Sequence, residues 1–418
     1  MPLAETTPSR RGASVTSTRP CPVCHSHAVR YLHTMHFALP ATSPLPGHYD
    51  VVVCVRCGTG FADSDAPADA YSEHYRSFSK YEDPSVATGG GDDRADRARI
   101  DELAAYFAET LPPDTRVADI GCGNGGLLYA LKRRGFLDLT GFDPAIACTA
   151  RIRANGINSF SLTLPVNDRW RASHNDCRYD LIVLSHVLEH VFDAHAVLES
   201  LIPLLSVGGK IYIETPDPAR YDTNHFPPLY FFDSEHINHF GRGSLAFLAN
   251  SFQLSILAIG EKVLRLANGA DYPAVYALIQ SVDRYESVTT FSDSLFQSLS
   301  AYVDQSLRGV TILRERILAL IGDATPFVLW GAGSLAQRLI GESWFPLHRL
   351  QAVVDRDSKK HGLHFAGKTI LSPEVGLRHL PEQTLILCTA AIAFEQIARD
   401  YRSLDLPYLF CAIVQDAP

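Results

Sequence analysis

The chain has 418 residues, of which 46% are hydrophobic and 20% charged. This length predicts two or three domains, each able to bury its own core. The formal net charge of −9 argues against a large nucleic-acid footprint, which requires clustered Lys and Arg. No apolar run reaches the length that spans a bilayer, so we expect no membrane partner.

Residues 1–19 contain Ser, Thr and Arg but no apolar core of the kind found in signal peptides. They predict a disordered lead-in and not a secretory signal. Without an export signal, the expected location is the cytoplasm, where thiols stay reduced.

Residues 20–92 are predicted to form a metal-binding segment followed by a lid. Two Cys-x-x-Cys pairs stand in this segment: Cys21 with Cys24, and Cys54 with Cys57. Two such turns bring four thiolates around one tetrahedral zinc ion, and in a reducing compartment metal is favoured over disulfides. Because all four positions are Cys, the site is predicted to be closed and structural.

Residues 93–265 alternate strand and helix patterns, which predicts a parallel sheet with crossover helices. The first glycine-rich turn, VADIGCGNGG, occupies 117–126. Gly121 and Gly123 let the backbone approach a ligand, and the helix that follows offers free N–H groups. Asp119 suits a cationic ligand terminus better than a pyrophosphate. Asp143, at the end of the next strand, can accept hydrogen bonds from both hydroxyls of a ribose.

These features, together with YDLIVLSHVLEHV at 179–191 and GGKIYIETPD at 208–217, resemble the class I S-adenosylmethionine-dependent methyltransferases. The resemblance implies that S-adenosylmethionine is the cofactor. It implies that Asp119 and the backbone of 121–125 hold the methionine part and that Asp143 holds the ribose. The full set of implied cofactor residues in this core is Asp119, Gly121, Cys122, Gly123, Asn124, Gly125, Asp143, Ser185 and His186. The adenine contact is not assigned.

The order of segments resembles the three-domain sugar C-methyltransferases of antibiotic deoxysugar pathways over nearly the whole chain. Residues 351–373 resemble the C-terminal signature of that family. The implied fold is α/β, with a small N-terminal zinc-binding segment, a Rossmann-like class I methyltransferase core at 93–265, a helical connector at 266–322 and a second Rossmann-like domain at 323–418. The implied partner is a small-molecule acceptor, a sugar nucleotide or another secondary metabolite, with the protein a monomer or homodimer.

Residues 231–240, FFDSEHINHF, combine aromatic and titratable side chains in a way that predicts the wall of a pocket. Glu235 and His236 match the Glu-His element of the sugar methyltransferases, whereas Asp233 stands where that family has Tyr. This departure leaves both C- and O-methylation open. His236 is predicted to be the general base or to orient the acceptor, because an imidazole titrates near neutrality. Asp233 and His225 are further catalytic candidates.

Two other His residues of the core, His190 and His239, are expected to be structural. The polar and aromatic stretch at 71–83 is predicted to form the lid, in which Tyr75 and Tyr81 would close over cofactor and substrate. An alternative is a linker helix that packs its aromatic side chains on the core.

A second glycine-rich turn, GAGSLA, runs from Gly331 to Ala336, and Asp355 ends the next strand. Taken alone, this pattern favours a dinucleotide site, so the competing hypothesis is a nicotinamide-dependent oxidoreductase or a bifunctional enzyme. The family resemblance implies instead that this domain shapes the substrate pocket. A third alternative, an RNA-binding methyltransferase, is disfavoured by the acidic balance of the chain.

Overall fold

The computed structural model describes residues 10–78, 94–174, 176–223, 227–266, 269–281, 294–391 and 393–414, with the side chains of 75–78 and 94–95 left aside. These residues form sheets of five, seven and six strands. The predicted α/β class, with a Rossmann-like core and a second unit of the same kind, is confirmed. None of the helices in the described ranges is long and apolar enough to cross a membrane.

The N-terminal sheet is antiparallel and carries the cysteine pairs at its turns. Its strands are β1 (Ser14–Thr16), β2 (Ala28–His36), β3 (His48–Cys54), β4 (Gly60–Asp63) and, at the edge, β10 (Asn238–His239). The last strand comes from the FFDSEHINHF loop and pairs Asn238 with Phe61. That loop is therefore anchored to the N-terminal sheet. Helix α1 (Ala68–Phe78) follows the sheet.

The central sheet is the predicted cofactor-binding core. Its strands are β5 (Arg116–Ile120), β6 (Asp138–Asp143), β7 (Asn158–Ser161), β8 (Tyr179–Ser185), β9 (Leu205–Pro216), β11 (Ser255–Arg265) and β12 (Asp271–Gln280), in the order β11-β12-β9-β8-β5-β6-β7. Strands β5 to β9 run parallel. Their carboxyl ends therefore meet at one edge, where open α/β sheets bind ligands.

Helices cover both faces of this sheet, so the central strands are apolar almost throughout. The helices are α2 (Arg94–Thr110), α3 (Gly126–Arg133), α4 (Ile146–Ala154), α5 (Asp168–Ser173), α6 (Ala194–Leu201) and α7 (Arg242–Ser251). Strand β8, for example, buries Leu181 to Leu184 completely.

The helical connector predicted at 266–322 is wrong in its first part. Strand β12 pairs antiparallel with β9, from Ala274 opposite Pro216 to Gln280 opposite Lys210. Its side chains alternate between two core clusters, with Val275 and Ile279 on one face and Tyr276 and Leu278 on the other. A strand buried on both faces is apolar at nearly every position, so its two-residue period is hidden in the sequence. Helix α8 (Ser294–Ile321) follows.

The C-terminal unit is a six-stranded sheet with the order β15-β16-β14-β13-β17-β18. The strands are β13 (Phe327–Trp330), β14 (Leu350–Val354), β15 (His364–Phe365), β16 (Lys368–Leu371), β17 (Leu385–Cys388) and β18 (Leu409–Ala412). The helices are α9 (Ser334–Gly341), α10 (Pro373–Gly376) and α11 (Phe394–Ser403). All pairings except that of β15 with β16 are parallel.

The loop after β9 lies where the three units meet. The backbone N–H of Leu229 donates to Ser306 Oγ of α8 at 3.1 Å. The Tyr49 hydroxyl of β3 donates to the carbonyl of Asp233 at 2.8 Å. Helix α9 reaches the N-terminal sheet, since a Cβ at Gly341 would lie 2.8 Å from the carbonyl oxygen of His36. The loop is thus fixed from two sides.

Candidate active site

The first glycine-rich turn requires glycine for two reasons. Gly121 has a φ of +68°, and a Cβ there would lie 2.7 Å from Val187 Cγ2. Gly125, at the start of α3, has a φ of +83°, and a Cβ there would lie 2.8 Å from Ile152 Cγ1. Any other side chain would meet both backbone strain and a collision. The turn therefore needs glycine at both positions to pack against Val187 and Ile152 at the carboxyl edge of the sheet.

Asp143 is held against this turn. Its Oδ2 accepts the N–H of Gly123 and its Oδ1 accepts the N–H of Ala145, each at 2.8 Å. A carboxylate oxygen has a second lone pair, so both oxygens can still accept from a ligand. Asp143 lies at the end of β6, and its contact with a ribose stays a prediction.

Asp119 is buried at the end of β5. Burial, and secondarily the Asp143 carboxylate, raises the pKa of Asp119 to about 7, while Arg99 opposes the shift. Two buried acidic groups at one edge favour a ligand that brings positive charge. S-adenosylmethionine carries an ammonium and a sulfonium, so its charge fits these residues.

The side chains of Cys122 and Asn124 both contact protein groups at this turn. A Cβ on Gly141 would lie 2.8 Å from Cys122 Sγ, which places the thiol against strand β6. Asn124 Oδ1 accepts from Arg151 Nη2 at 2.5 Å. Asn124 Nδ2 has no hydrogen-bond partner among the described residues, so this amide can still donate to a ligand.

Ser185 and His186 end strand β8 within a network of charged groups. Ser185 Oγ accepts from Arg99 Nη1 at 3.2 Å. The His186 ring lies between two buried carboxylates, with Nδ1 3.0 Å from Glu189 Oε1 and Nε2 3.2 Å from Glu214 Oε1. Burial lowers the pKa of His186, but the two carboxylates outweigh it and the net shift is upward. The two carboxylates therefore favour the imidazolium form of His186, which would link the end of β8 to β9.

Glu214 is the centre of that network. It is fully buried, forms an ion pair with Lys262, and accepts from the Tyr212 hydroxyl at 2.7 Å. Burial raises the pKa of Glu214, but His186 and Lys262 outweigh it and hold the pKa well below its usual range. The carboxylate is thus ionised inside the protein.

His236 and His190 bring the loop after β9 to the turn after β8. Leu188–His190 form a 3₁₀ turn. His190 Nδ1 lies 3.1 Å from the carbonyl oxygen of Glu235, and its ring meets the His236 ring edge-on with centroids 4.6 Å apart. The sequence favours a structural role for His190, and the structure places it beside the predicted base.

Glu189 completes this group. One ligand atom from each of Glu189, His190 and His236 lies within 4.8 Å of the others. Glu189 is 1% exposed, and its Oε2 has no hydrogen-bond partner among the described residues. A buried carboxylate beside two imidazoles can stabilise an imidazolium when one of them takes a proton. Sequence analysis missed Glu189, although it stands in the matched VLEHV segment.

Asp233 shapes the loop. Its Oδ1 accepts the N–H groups of Glu235 at 2.8 Å and His236 at 2.7 Å, a turn in which an Asp side chain binds the backbone two and three residues on. These two hydrogen bonds fix the backbone of Glu235 and His236. They give a physical reason for Asp at this position, where the sugar methyltransferases have Tyr.

Helix α1 contacts the same loop from the predicted lid. His74 Nε2 lies 3.6 Å from Glu235 Oε1. Tyr71, one turn earlier, is buried, with its ring centroid 5.9 Å from that of Phe192. His74 is a second residue that sequence analysis missed, although it stands in the lid stretch. The side chain of Tyr75 and all of Tyr81 and His225 lie outside the described residues, so their predicted roles stay predictions.

His239 is buried away from the other rings of the site. Its Nδ1 lies 3.2 Å from the Tyr221 hydroxyl, and burial lowers its pKa to about 3. It is therefore neutral at physiological pH and packs in the aromatic core of the loop, in agreement with the structural role expected from the sequence.

The four paired cysteines come together at the turns of the N-terminal sheet. Cys21 Sγ lies 3.4 Å from Cys57 Sγ, and Cys24 Sγ lies 3.5 Å from Cys54 Sγ. All four sulfurs are within 4.8 Å of one another and none forms a disulfide. Four thiolates around zinc at about 2.3 Å fit this spacing.

At the second glycine-rich turn, the Asp355 carboxylate already accepts hydrogen bonds from protein groups. Asp355 accepts the N–H groups of Ala332 at 2.8 Å and Asp357 at 2.9 Å, and Lys360 Nζ at 3.0 Å. A Cβ at Gly331 would lie 2.8 Å from Thr389 Oγ1, so this glycine serves packing. The lysine neutralises the carboxylate that a ribose would need.

Residues 93–259 match a protein family described as "Methyltransferase domain". C-methyltransferase NovU from Streptomyces niveus is 22% identical over 351 residues, which cover 81% of this chain and 79% of that protein. A ubiquinone biosynthesis O-methyltransferase from Xylella fastidiosa is 31% identical over 116 residues, or 26% of this chain. The matched part spans less than half the length of that relative, 46%.

Solved structures with a similar chain include a methyltransferase from Anabaena variabilis, with a TM-score of 0.40 and 19% identity over 52% of this chain and 96% of that chain. Another is 1,6-didemethyltoxoflavin-N1-methyltransferase from Burkholderia thailandensis, with a TM-score of 0.39 and 16% identity over 55% of this chain and 98% of that chain.

Proposed function

We propose that this chain, which is a class I S-adenosylmethionine-dependent methyltransferase, methylates a sugar nucleotide or a related secondary metabolite at a carbon or oxygen that must first lose a proton. The class follows from the domain match at 93–259 and from methyltransferase relatives of both the C- and O-methylating kinds. These relatives give no support to the oxidoreductase alternative.

The observation that carries the proposal is the cluster of Glu189, His190 and His236 at the edge of the sheet where Asp119 and Asp143 also lie. S-adenosylmethionine supplies an electrophilic methyl group on a sulfonium when it is bound. Asp119, Asp143 and the backbone of the first glycine-rich turn would hold it. The acceptor would lie between this turn and the 233–236 loop.

The chain's own contribution to the reaction is to remove and hold a proton. A ring nitrogen of His236 would take the proton from the acceptor atom, whose electron pair could then bond to the methyl carbon. The bond from that carbon to sulfur would break, and the sulfur would keep its electron pair as the neutral thioether of S-adenosylhomocysteine. Glu189 stabilises the resulting imidazolium, and the edge contact with His190 fixes the ring. Glu235, oriented by Asp233 and close to His74, is placed to accept a hydrogen bond from an acceptor hydroxyl.

The acceptor class rests on similarity over most of the chain. The match to a C-methyltransferase includes 81% of this chain, well beyond the methyltransferase domain. The segment order also resembles the sugar C-methyltransferases. We therefore propose transfer to a carbon beside a ketone as the first reaction to test, and O-methylation of the same acceptors as the second.

We also propose that Cys21, Cys24, Cys54 and Cys57 hold one structural zinc ion. The support is the convergence of four unpaired thiols at the turns of one small sheet. We further propose that the protein works in the cytoplasm as a monomer or homodimer, without nucleic-acid or membrane partners. Its acidic balance supports the exclusion of nucleic acid.

The test is methyl transfer from radiolabelled S-adenosylmethionine to a panel of nucleotide-linked ketosugars, nucleotide-linked hydroxysugars and phenolic metabolites. The proposal expects transfer to a nucleotide sugar by the wild type and loss of turnover in His236→Ala with cofactor affinity retained. His348→Ala, at an exposed position of the C-terminal unit, is the control and should remain active. Transfer to phenols alone would contradict the acceptor assignment.

A further inference from the structure

Arg338 is a buried cation that forms no ion pair within 4 Å in the described part of the chain. It lies in α9, is 6% exposed, and its Nε and Nη1 have no hydrogen-bond partner there. A guanidinium has five N–H donors and remains charged when buried, so leaving it unpaired costs free energy. Such an arrangement is stable when a ligand supplies the missing acceptors.

An open cleft lies at this guanidinium, and its empty space of about 390 Å³ includes adjoining bulk solvent. Besides Arg338, it is lined by His33 and His36 of β2, Leu229 of the active-site loop, Leu313 of α8 and Glu342. The cleft is thus formed where the N-terminal sheet, the loop after β9, helix α8 and the C-terminal unit meet. It is separate from the glycine-rich turn that would hold the cofactor.

The cleft adjoins the loop that carries the predicted base. Burial lowers the pKa of Arg338, and the carboxylate of Asp233 is near enough to oppose that shift. The hydroxyl of Tyr49 donates to the Asp233 carbonyl, and the hydroxyl of Tyr302 accepts the N–H of Phe231 at 3.1 Å. A ligand group at Arg338 would therefore lie next to the loop that carries Glu235 and His236.

We propose that Arg338 binds a phosphoryl group of the acceptor and so anchors it with its reactive part toward His236. This inference rests on the proposed function and names the charged class to which the acceptor belongs. A guanidinium fits phosphate oxygens bidentately, which gives orientation as well as charge. Burial lowers the pKa of His33 to about 4, so at neutral pH the cleft offers that ring as an uncharged neighbour.

Glu342 is the acidic residue of the cleft. In the described part of the chain, Glu342 forms no ion pair with Arg338. Burial raises the pKa of the Glu342 carboxyl group. A carboxyl group can donate a hydrogen bond to a phosphate oxygen only in its neutral form, which the upward shift of the pKa favours. Glu342 is therefore compatible with an anion in the cleft.

The test is isothermal titration calorimetry of the full chain with uridine diphosphate, inorganic pyrophosphate, uridine and malonate. We expect the wild type to bind the two phosphorylated probes and not uridine. Arg338→Met should weaken their binding at least tenfold while S-adenosylhomocysteine binds as before. Arg402→Met, at an exposed position of α11, is the matched control and should bind them like the wild type.

Arg338→Lys keeps the charge but loses the bidentate geometry and should show an intermediate affinity. It decides the question if Arg338→Met does not fold. Equal binding of uridine diphosphate by the wild type and the folded Arg338 variant would overturn the inference, as would binding of malonate alone. Phosphate binding that depends on Arg338, with no methyl transfer to any nucleotide sugar, would instead contradict the proposed function and leave the anion site in place.

Discussion

The His190 ring packs edge-on against the His236 ring, with 4.6 Å between the centroids. The two residues are 46 positions apart in the chain and follow different strands, β8 and β9. Their contact joins the turn after β8 to the loop after β9 and places both imidazoles beside the buried Glu189 carboxylate. The proposed proton-accepting group is therefore built by the sheet and not by one sequence motif.

Replacing His236 with Ala should remove the general base. Turnover should fall about 100- to 10,000-fold, the usual contribution of such a group. Affinity for S-adenosylhomocysteine should be unchanged, because no predicted cofactor contact is altered. Single-turnover methyl transfer and calorimetry measure the two quantities. Near-normal turnover would show that His236 is structural.

The two glycine-rich turns can be distinguished by their acidic residues. Asp143→Ala should weaken S-adenosylhomocysteine binding severely, by about 2 kcal/mol or more, since two ribose hydroxyls lose their acceptor. Asp355→Ala should leave this binding unchanged, because Asp355 already pairs with Lys360. Calorimetry on both variants is the measurement. Loss of binding only in the Asp355 variant would mean that the cofactor was assigned to the wrong turn.

Cofactor affinity should depend on pH through Asp119. Its pKa is raised to about 7 in the folded protein, so ionisation between the ordinary value of 3.8 and about 7 is disfavoured without a ligand. A cationic ligand favours the ionised form, so affinity should fall as the pH drops below about 7, by up to tenfold per pH unit. Calorimetry from pH 5.5 to 8 measures this, and Asp119→Asn should abolish the dependence. A flat wild-type profile would exclude the contact.

Zinc removal should destabilise the N-terminal sheet. Elemental analysis of protein purified without chelators should find one zinc per chain, and Cys54→Ser should lose most of it. The variant should also lower the melting temperature, because the four thiols join distant turns of one small sheet. Cys177→Ser, which changes a half-buried cysteine outside the cluster, is the control. Protein that is free of zinc and equally stable would refute the site.

The ion pair of Lys262 with Glu214 should stabilise the fold of the core. Lys262→Met leaves a fully buried carboxylate with weaker compensation, and breaking a buried pair in this way costs about 3–5 kcal/mol. Because the pKa of Glu214 is depressed in the folded protein, this stabilisation is present above the ordinary Glu pKa and is lost as the pH falls. Urea unfolding at pH 7 and pH 3 measures it, since the loss occurs below the ordinary Glu pKa of 4.5, with Lys368→Met as control. An equal loss at both pH values would contradict the account.

Local features of the sequence determined the cysteine cluster and the form of the first glycine-rich turn. The spacing of Cys21 to Cys57 predicts a four-thiolate cluster, and the glycines and Asp119 of the first turn predict its strand–turn–helix geometry, because short-range sterics and backbone hydrogen bonding act within a few residues. Asp143 and the Glu-His pair could also be located from strand order alone, since parallel strands end at one edge.

Other features were decided only by tertiary packing. Glu189, His74 and Arg338 have no distinguishing local pattern, and they become chemically meaningful through burial and through neighbours that are distant in sequence. Strand β12 has apolar residues at nearly every position because both of its faces are buried, so its sequence does not show the two-residue period of a strand. Burial and long-range contacts set the electrostatic environment of each group, and these arise only when the three sheets assemble around the loop at 227–237.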